Sequence, residues 1–236
     1  MSGKSSNGNI PKSLQLLDGT QLKLIAMVSM VFDHLGDNFF PGQIWMRIIG
    51  RMAMPLFSFC IAEGFCHTHD RTRYLTRMLV FGAVSEIPFD LVTSGRILET
   101  GHQNIMLTFS WAVLGLICLE AVLNRIKKRA ARYIAAGALI IAFMAGSIFL
   151  RMDYTMTAVL LISVFYLMRN KLHLLRTCAG AAAYAALRNV GIHIAGLLGF
   201  VPILFYNGKR GKGLKWLFYL FYPGHLLLIY LIKRIF

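Results

Sequence analysis

The stretch that decides the fold is residues 17–36, which read LDGTQLKLIAMVSMVFDHLG. Its apolar run is long enough to cross a membrane as a helix, yet it carries Asp18, Lys23, Asp33 and His34. At about 100° per residue, the eleven positions from Lys23 to His34 bring both side chains to nearly the same helix face, about 16 Å apart along the axis. Ionisable groups at membrane depth are costly, so we predict a functional face that points to the protein interior. The alternative is a snorkelling lysine and a histidine at headgroup level.

The composition of the chain is that of a membrane protein. Apolar residues make up 57% of the 236 positions, and several runs reach the roughly 17–25 residues that span a bilayer. The net charge of +15 would also fit a nucleic-acid-binding protein. The lysines and arginines, however, lie mainly in short segments between apolar runs, as in the loops of membrane proteins. We therefore expect a lipid bilayer and no nucleic acid as partner.

The apolar runs predict an all-α, polytopic integral membrane protein with about nine transmembrane helices. Residues 1–13 form a polar tail, and residues 14–236 form a single transmembrane domain without a linker or an internal repeat. The nine predicted segments are 20–40, 44–66, 74–92, 104–123, 133–150, 154–168, 173–188, 191–206 and 214–232.

The distribution of basic residues predicts the orientation. With the N-terminus in the cytoplasm, 17 lysines and arginines fall on the cytoplasmic side and five on the outer side. Cytoplasmic loops carry the excess of such residues. We therefore predict a cytoplasmic N-terminus and a C-terminus outside.

Four charged residues near the predicted outer surface form two pairs. Arg47 and Arg51 share a helix face at spacing i,i+4, and so do Glu86 and Asp90. We expect these two cations and two carboxylates at similar depth to pair with each other, either as a structural network or as part of a site. Further polar residues at this depth are Gln103, Asn104 and Tyr154.

His34 is the candidate general base at the same depth, because histidine titrates near neutral pH. A carboxylate would hold its ring in place. Adjacent helical residues point about 100° apart, so Asp33 is badly placed for this role. We expect the carboxylate to be Glu86 or Asp90.

The predicted inner surface carries the segment YNGKRGKG, residues 206–213. Its asparagine and glycines favour a tight turn, and its cations with exposed backbone N–H groups suit a phosphate-bearing ligand. An ordinary basic loop is an equally good interpretation. The residues concerned are Asn207, Lys209, Arg210 and Lys212, with Arg77 near the same surface.

His225 follows a Pro-Gly pair inside the last segment, which predicts either the wall of a cavity or a simple kink. His67 and His69 have no third ligand cluster near them, so we expect no metal site.

Several stretches together resemble the TraX family of membrane proteins: residues 17–36, IIGRMAMPLFSFCIAEGF, VSEIPFDL, HQNIMLTF, LFYNGKRG and LFYPGHLLLIYLI. The first helix is also similar to that of transmembrane acyltransferases. One branch of that group has a basic residue, ten positions and then a histidine. Lys23 and His34 match this spacing, with lysine in place of that branch's arginine.

The resemblance implies an acetyl-CoA-dependent N-acetyltransferase of the bacterial inner membrane. The acceptor would be the N-terminus of a pilin or another peptide. The implied donor site takes in Lys23, Arg77, Asn207, Lys209, Arg210, Lys212 and His225.

His34 would deprotonate the acceptor or carry the acetyl group itself. Glu86, Asp90 and Asp33 would complete the catalytic cluster. The candidate donors to the developing oxyanion are Arg51, Gln103, Asn104 and Tyr154.

Three other functions fit the same residues. Asp33, His34, Glu86 and Asp90 would serve as the proton relay of a secondary transporter, although we find no inverted repeat. Acetylation of a hydroxyl on a cell-envelope glycan is a second alternative. A non-enzymatic membrane assembly factor with a purely structural polar cluster is the third.

Overall fold

A computed structural model describes residues 11–235, and in this range the regular secondary structure is helical, without a strand. The predicted all-α class is confirmed. Residues 1–10 of the predicted polar tail lie outside the described residues. The helices are α1 (Gly19–Asn38), α2 (Ile44–Gly50), α3 (Ala53–His67), α4 (Arg71–Thr93), α5 (Ile105–Arg125), α6 (Arg129–Phe149), α7 (Thr155–Leu167), α8 (His173–Leu187), a 3₁₀ helix (Gly191–Gly199), α9 (Phe200–Leu204) and α10 (Lys215–Ile235).

Asp18 starts α1 rather than lying within it. Its side chain accepts hydrogen bonds from the N–H groups of Thr20 and Gln21, at 2.8 and 2.9 Å. The Gln21 side chain accepts one from the Asp18 N–H, at 2.8 Å. This reciprocal capping box satisfies N–H groups that a helix start leaves without partners, so the sequence fixes where α1 begins.

The second predicted helix is broken in two. The segment 44–66 was predicted as one helix, but α2 ends at Gly50 and α3 begins at Ala53. Pro55 explains the break, because in a continuous helix its ring would clash with the carbonyl group of Arg51. In the observed arrangement Pro55 occupies the first turn of α3, where proline is tolerated. The break leaves Arg51 at the end of α2.

Among the described residues, four helical stretches are long and apolar enough to cross a membrane. The chain thus has the helices of a membrane protein. The count of about nine spans and the sides on which the termini lie stay predictions. The four stretches are Ile44–His67, Ile105–Arg125, Arg129–Phe149 and Trp216–Ile235.

The chain forms two compact units. The first unit holds residues 11–62 and 164–221, and an aromatic cluster lies in its core. The rings of Phe165 and Tyr206 each meet Phe59 edge-on, with centroids 5.2 Å away. The predicted single domain, residues 14–236, stays a prediction.

The second unit holds residues 63–163 and 222–235, and α5 packs there between α4 and α6. Glycines allow the close approach on both sides. A Cβ on Gly82 would lie 2.7 Å from Leu107, and one on Gly146 would lie 2.6 Å from Trp111. The Trp111 indole N–H also donates to the carbonyl of Phe143, at 2.9 Å.

Candidate functional site

Residues 207–213, here called the basic loop, are bound to the start of α1 in the first unit. The Asn207 N–H donates to the carbonyl of Leu17 and the Gly19 N–H to that of Lys209, both at 2.8 Å. Thr20 Oγ1 donates to the carbonyl of Lys212 at 2.7 Å. These bonds hold the loop against the first turn of the helix.

Glycine makes this contact possible at position 211. Gly211 has φ +76°, and a Cβ on it would collide with the carboxylate of Asp18. Gly208 has φ +77°, and next to it the Lys209 N–H donates to Asn207 Oδ1 at 2.8 Å. The predicted tight turn is therefore present.

The cations of the basic loop are available to a ligand. Lys209, Arg210 and Lys212 are all exposed. The first N–H groups of α1 are already bonded to Asp18 and to the Lys209 carbonyl, and the Lys209 N–H is bonded to Asn207. Binding of an anion here would therefore rest on side chains more than on backbone N–H groups.

Lys23 and His34 lie on one uninterrupted helix. The Lys23 ammonium is 4.9 Å from the centre of the Phe218 ring, a cation–π contact that keeps it near the loop end of α1. His34 is half-buried, and its carbonyl accepts a hydrogen bond from the side chain of Asn38 at 2.8 Å. Because α1 runs unbroken from 19 to 38, the predicted helix face holds over its whole length.

The arginines of α2 pair with α1 rather than with Glu86 and Asp90, so the predicted pairing was wrong. Arg51 is 6% exposed and forms an ion pair with Asp33. Arg47 lies 3.6 Å from Asp33 and 2.7 Å from Asp37. Gly50 permits the approach, because a Cβ there would overlap Asp33.

Glu86 and Asp90 lie in the second unit with neutral partners. Asn104 Nδ2 donates to Glu86 Oε2 and, at 2.8 Å, to the carbonyl of Gly82. The Glu99 N–H donates to Asp90 Oδ2 at 2.8 Å. Asn104 was predicted to donate to an oxyanion, but both N–H bonds of its amide are already used.

Gln103, next to Asn104 in the chain, pairs with the turn that precedes Tyr154. The backbones of Gln103 and Arg151–Asp153 pair through two hydrogen bonds of 3.1 Å. Tyr154 and Thr155 have φ values of +53° and +35°, which are uncommon for residues with a side chain and occur often at functional sites.

The predicted site residues thus form two groups. Lys23, His34 and the basic loop belong to the first unit, and Arg77 and His225 belong to the second. α10 continues through Pro223, so the proline does not break the helix, and the His225 ring lies 5.6 Å from that of Tyr222. The roles of Arg77 and His225 in a donor site, and the pairing of His34 with Glu86 or Asp90, stay predictions.

Sequence reasoning missed a buried polar cluster in the first unit. Arg176, one of the 17 basic residues assigned to the cytoplasmic side, is 5% exposed and donates to the carbonyl of Phe165 at 2.8 Å. Its guanidinium lies 4.8 Å from the centre of the Phe59 ring. His173, 4% exposed, contacts the carbonyl of Ile203 at 2.7 Å. The spacing of these residues, which lie three apart on α8, was the available signal.

Among residues 11–235, no group of three or more histidine, cysteine, aspartate and glutamate side chains is placed to hold a metal ion.

Comparison with known proteins decides the family. The model of the family described as TraX protein matches residues 18–233. This chain belongs to the TraX family. The resemblance found in the sequence is confirmed, and the match covers both groups of predicted site residues.

Two relatives of this TraX-family chain are informative. It is 30% identical, over 89% of its length and 93% of the relative's, to the probable fimbrial assembly protein FimC, serogroup H1, of Dichelobacter nodosus. It is 38% identical to the uncharacterized protein RP591 of Rickettsia prowazekii (strain Madrid E), over 28% of its own length and 25% of the relative's. No solved structure matches the chain.

Proposed function

We propose that this TraX-family protein is a membrane acetyltransferase. It takes the acetyl group of acetyl-CoA on the cytoplasmic side and transfers it to an amine on the outer side, in the first instance the N-terminus of a pilin. The family and the relative named as a fimbrial assembly protein support a role connected with pili.

One observation carries the proposal: a single helix joins a group of exposed cations to a half-buried histidine. The basic loop is bound to the first turn of α1, and His34 lies on the same helix about 16 Å beyond Lys23. A ligand with charged phosphates at one end and a reactive thioester at the end of a long arm suits this arrangement. Acetyl-CoA is such a ligand.

Lys209, Arg210 and Lys212 would bind the phosphates through charge-assisted hydrogen bonds. Lys23 is available as a further cation along the arm. Arg77 and His225 remain candidates for the same donor.

The transfer step forms one bond and breaks another. The lone pair of the acceptor nitrogen attacks the thioester carbonyl carbon, the C–S bond breaks, and CoA leaves as a thiolate. His34 takes the proton that the nitrogen loses and returns it to the thiolate. In the covalent alternative, the His34 ring nitrogen attacks the thioester carbonyl carbon, the C–S bond breaks and CoA leaves as a thiolate. The amine then attacks the acetyl-imidazole, the bond from the acetyl group to His34 breaks, and the freed imidazole takes the proton that the amine loses.

The contacts lead us to propose other roles for some of the remaining candidates. Asp33 and Arg51 form a buried pair beside His34, so we propose that they position the histidine by fixing α1 against α2. Gln103 and Tyr154 remain the candidate donors to the oxyanion. Asn104 is engaged in holding Glu86.

The same pair argues against the transporter alternative. A proton relay requires carboxylates that gain and lose protons readily. Asp33 is instead held in ion pairs with Arg47 and Arg51, which fix its carboxylate between α1 and α2.

Acetyl transfer across a membrane tests the proposal. Purified protein would be placed in liposomes with labelled acetyl-CoA on the side of the basic loop and pilin or a cell-envelope extract on the other side. We expect labelled peptide amines, identified by mass spectrometry. A well-inserted protein that releases no CoA and labels no acceptor would contradict the proposal.

A further inference from the structure

Two carboxylates of α4 each have a buried oxygen atom without a hydrogen-bond partner among the described residues. These atoms are Glu86 Oε1 and Asp90 Oδ1. Asp90 is 1% exposed. The two residues are one turn apart on the same helix face, so their carboxylates are neighbours.

The partners that the carboxylates do have are neutral. They are the Asn104 amide for Glu86 and the Glu99 N–H for Asp90. Within residues 63–163 and 222–235, the carboxylates in ion pairs are Glu63, Glu99 and Glu120, and neither Glu86 nor Asp90 is among them. Buried charges in proteins are normally paired, because an unpaired charge loses its hydration without compensation. A bound cation would supply that compensation.

The geometry favours an ammonium group over a divalent metal ion. A metal ion would require a third ligand of suitable type, and the described residues contain no such group. An ammonium needs two or three acceptors at hydrogen-bonding distance. Glu86 Oε1 and Asp90 Oδ1 supply two.

We propose that Glu86 and Asp90 form a binding site for the primary ammonium group of the acceptor. This inference rests on the proposed acetyl transfer and specifies its substrate class: acceptors with an amine are bound, and acceptors with only hydroxyl groups are not. The two carboxylates thereby acquire a role in acceptor recognition rather than in orienting His34.

A short connection covers the two carboxylates. It runs from Ser94 to Asn104 and is attached through the Glu99 N–H and the Asn104 side chain. Gly95, with φ +72°, stands at its start, and Arg96–Leu98 are exposed.

Binding of a minimal amine to the purified protein tests the inference. The probe is alaninamide, an α-ammonium amide, and its matched control is lactamide, which has a hydroxyl in place of the ammonium. We expect alaninamide to raise the unfolding temperature in detergent and lactamide to leave it unchanged. Glu86→Gln and Asp90→Asn should each weaken alaninamide binding about tenfold or more, as expected for a lost charge-assisted hydrogen bond.

Glu120→Gln is the control variant. It removes one negative charge from the same unit, where the side chain pairs with Arg71, and should leave the affinity for alaninamide unchanged. Each variant is first checked without ligand. Asp90→Asn should unfold at the wild-type temperature or above, because it removes a buried charge without a cation.

The outcomes separate this inference from the proposed function. Alaninamide binding that is unchanged in both carboxylate variants would overturn the proposed site. A finding that both carboxylates are protonated, and therefore neutral, would also overturn it. Equal protection by sodium or potassium chloride would assign the site to an inorganic cation and overturn the acceptor role. The protein could also bind alaninamide through both carboxylates and yet show no acetyl transfer. That result would support the cation site and contradict the proposed acetyltransferase function. When transfer is active, Asp90→Asn should raise KM for the amine and leave KM for acetyl-CoA unchanged.

Discussion

Thr20 Oγ1 donates a hydrogen bond to the carbonyl of Lys212 at 2.7 Å. A side chain in the first turn of α1 therefore fixes the backbone of the basic loop, almost two hundred residues later in the chain. The loop whose cations are proposed to bind CoA is thus attached directly to the helix that carries His34.

Thr20→Val removes this hydrogen bond at nearly constant volume. Loss of one neutral hydrogen bond costs about 0.5–1.5 kcal/mol, so KM for acetyl-CoA should rise by about two- to tenfold with little change in kcat. Thr20→Ser keeps the hydroxyl and should restore the wild-type KM. Equal KM values in all three proteins would show that the bond does not position the loop for the donor.

Neutralising Lys209, Arg210 and Lys212 together should raise KM for acetyl-CoA by about tenfold or more, because each phosphate contact is worth about 1.5–3 kcal/mol. The matched control neutralises Lys127, Lys128 and Arg129, three exposed cations between α5 and α6. Steady-state kinetics at several acetyl-CoA concentrations would compare them. If the two triple variants behave alike, the basic loop is only a determinant of topology.

Arg51→Ala should lower the free energy of unfolding by about 3 kcal/mol, because it removes one partner of a buried ion pair. The double variant Asp33→Leu, Arg51→Met should recover most of that loss, since no buried charge is left without its partner. Unfolding in mixed detergent micelles would measure both. If the double variant is less stable than Arg51→Ala, the ion pair between Asp33 and Arg51 does not by itself account for the positioning of His34.

The connection between α5 and α6 should face the cytoplasm. Five of the 17 basic residues assigned to that side lie in or beside this connection, and cytoplasmic segments carry the excess of such residues. They are Arg125, Lys127, Lys128, Arg129 and Arg132. In a variant without native cysteines, Lys128→Cys should react only with a membrane-permeant reagent in intact cells. Labelling by an impermeant reagent added outside would reverse the orientation.

The approximate positions of most helices could be predicted from the sequence because long apolar runs and the asparagine and glycine residues of turns are local signals. Pro55 is a local signal for the break after Gly50, but a search for long apolar runs alone does not detect it. The turn of the basic loop was predicted, but its attachment to α1 was not. That attachment joins residues far apart in the chain through backbone carbonyls, which leave no mark in side-chain patterns.

The ion pairs could not be predicted for a similar reason. Depth in the membrane allowed Arg51 to pair with Asp33, Glu86 or Asp90, and only the close packing of Gly50 against Asp33 selects the first. The burial of Arg176 was not predicted, because it was counted with the basic residues of the cytoplasmic side, which normally remain exposed. Here its flat guanidinium is buried against aromatic rings, where it also finds a carbonyl acceptor.

The central claim is that His34 takes part in acetyl transfer, and His34→Gln tests it most directly. Glutamine keeps a polar, hydrogen-bonding side chain on α1 but can neither accept the proton of the acceptor nor carry the acetyl group. The control is His102→Gln, which changes an exposed histidine in the connection before α5.

The measurement is the rate of acetyl transfer to a pilin N-terminus by inserted, folded protein. We predict that His34→Gln lowers it by about 10²–10⁴-fold and that His102→Gln leaves it unchanged. A His34→Gln protein that acetylates at a near-normal rate would remove the histidine from the mechanism and contradict the account.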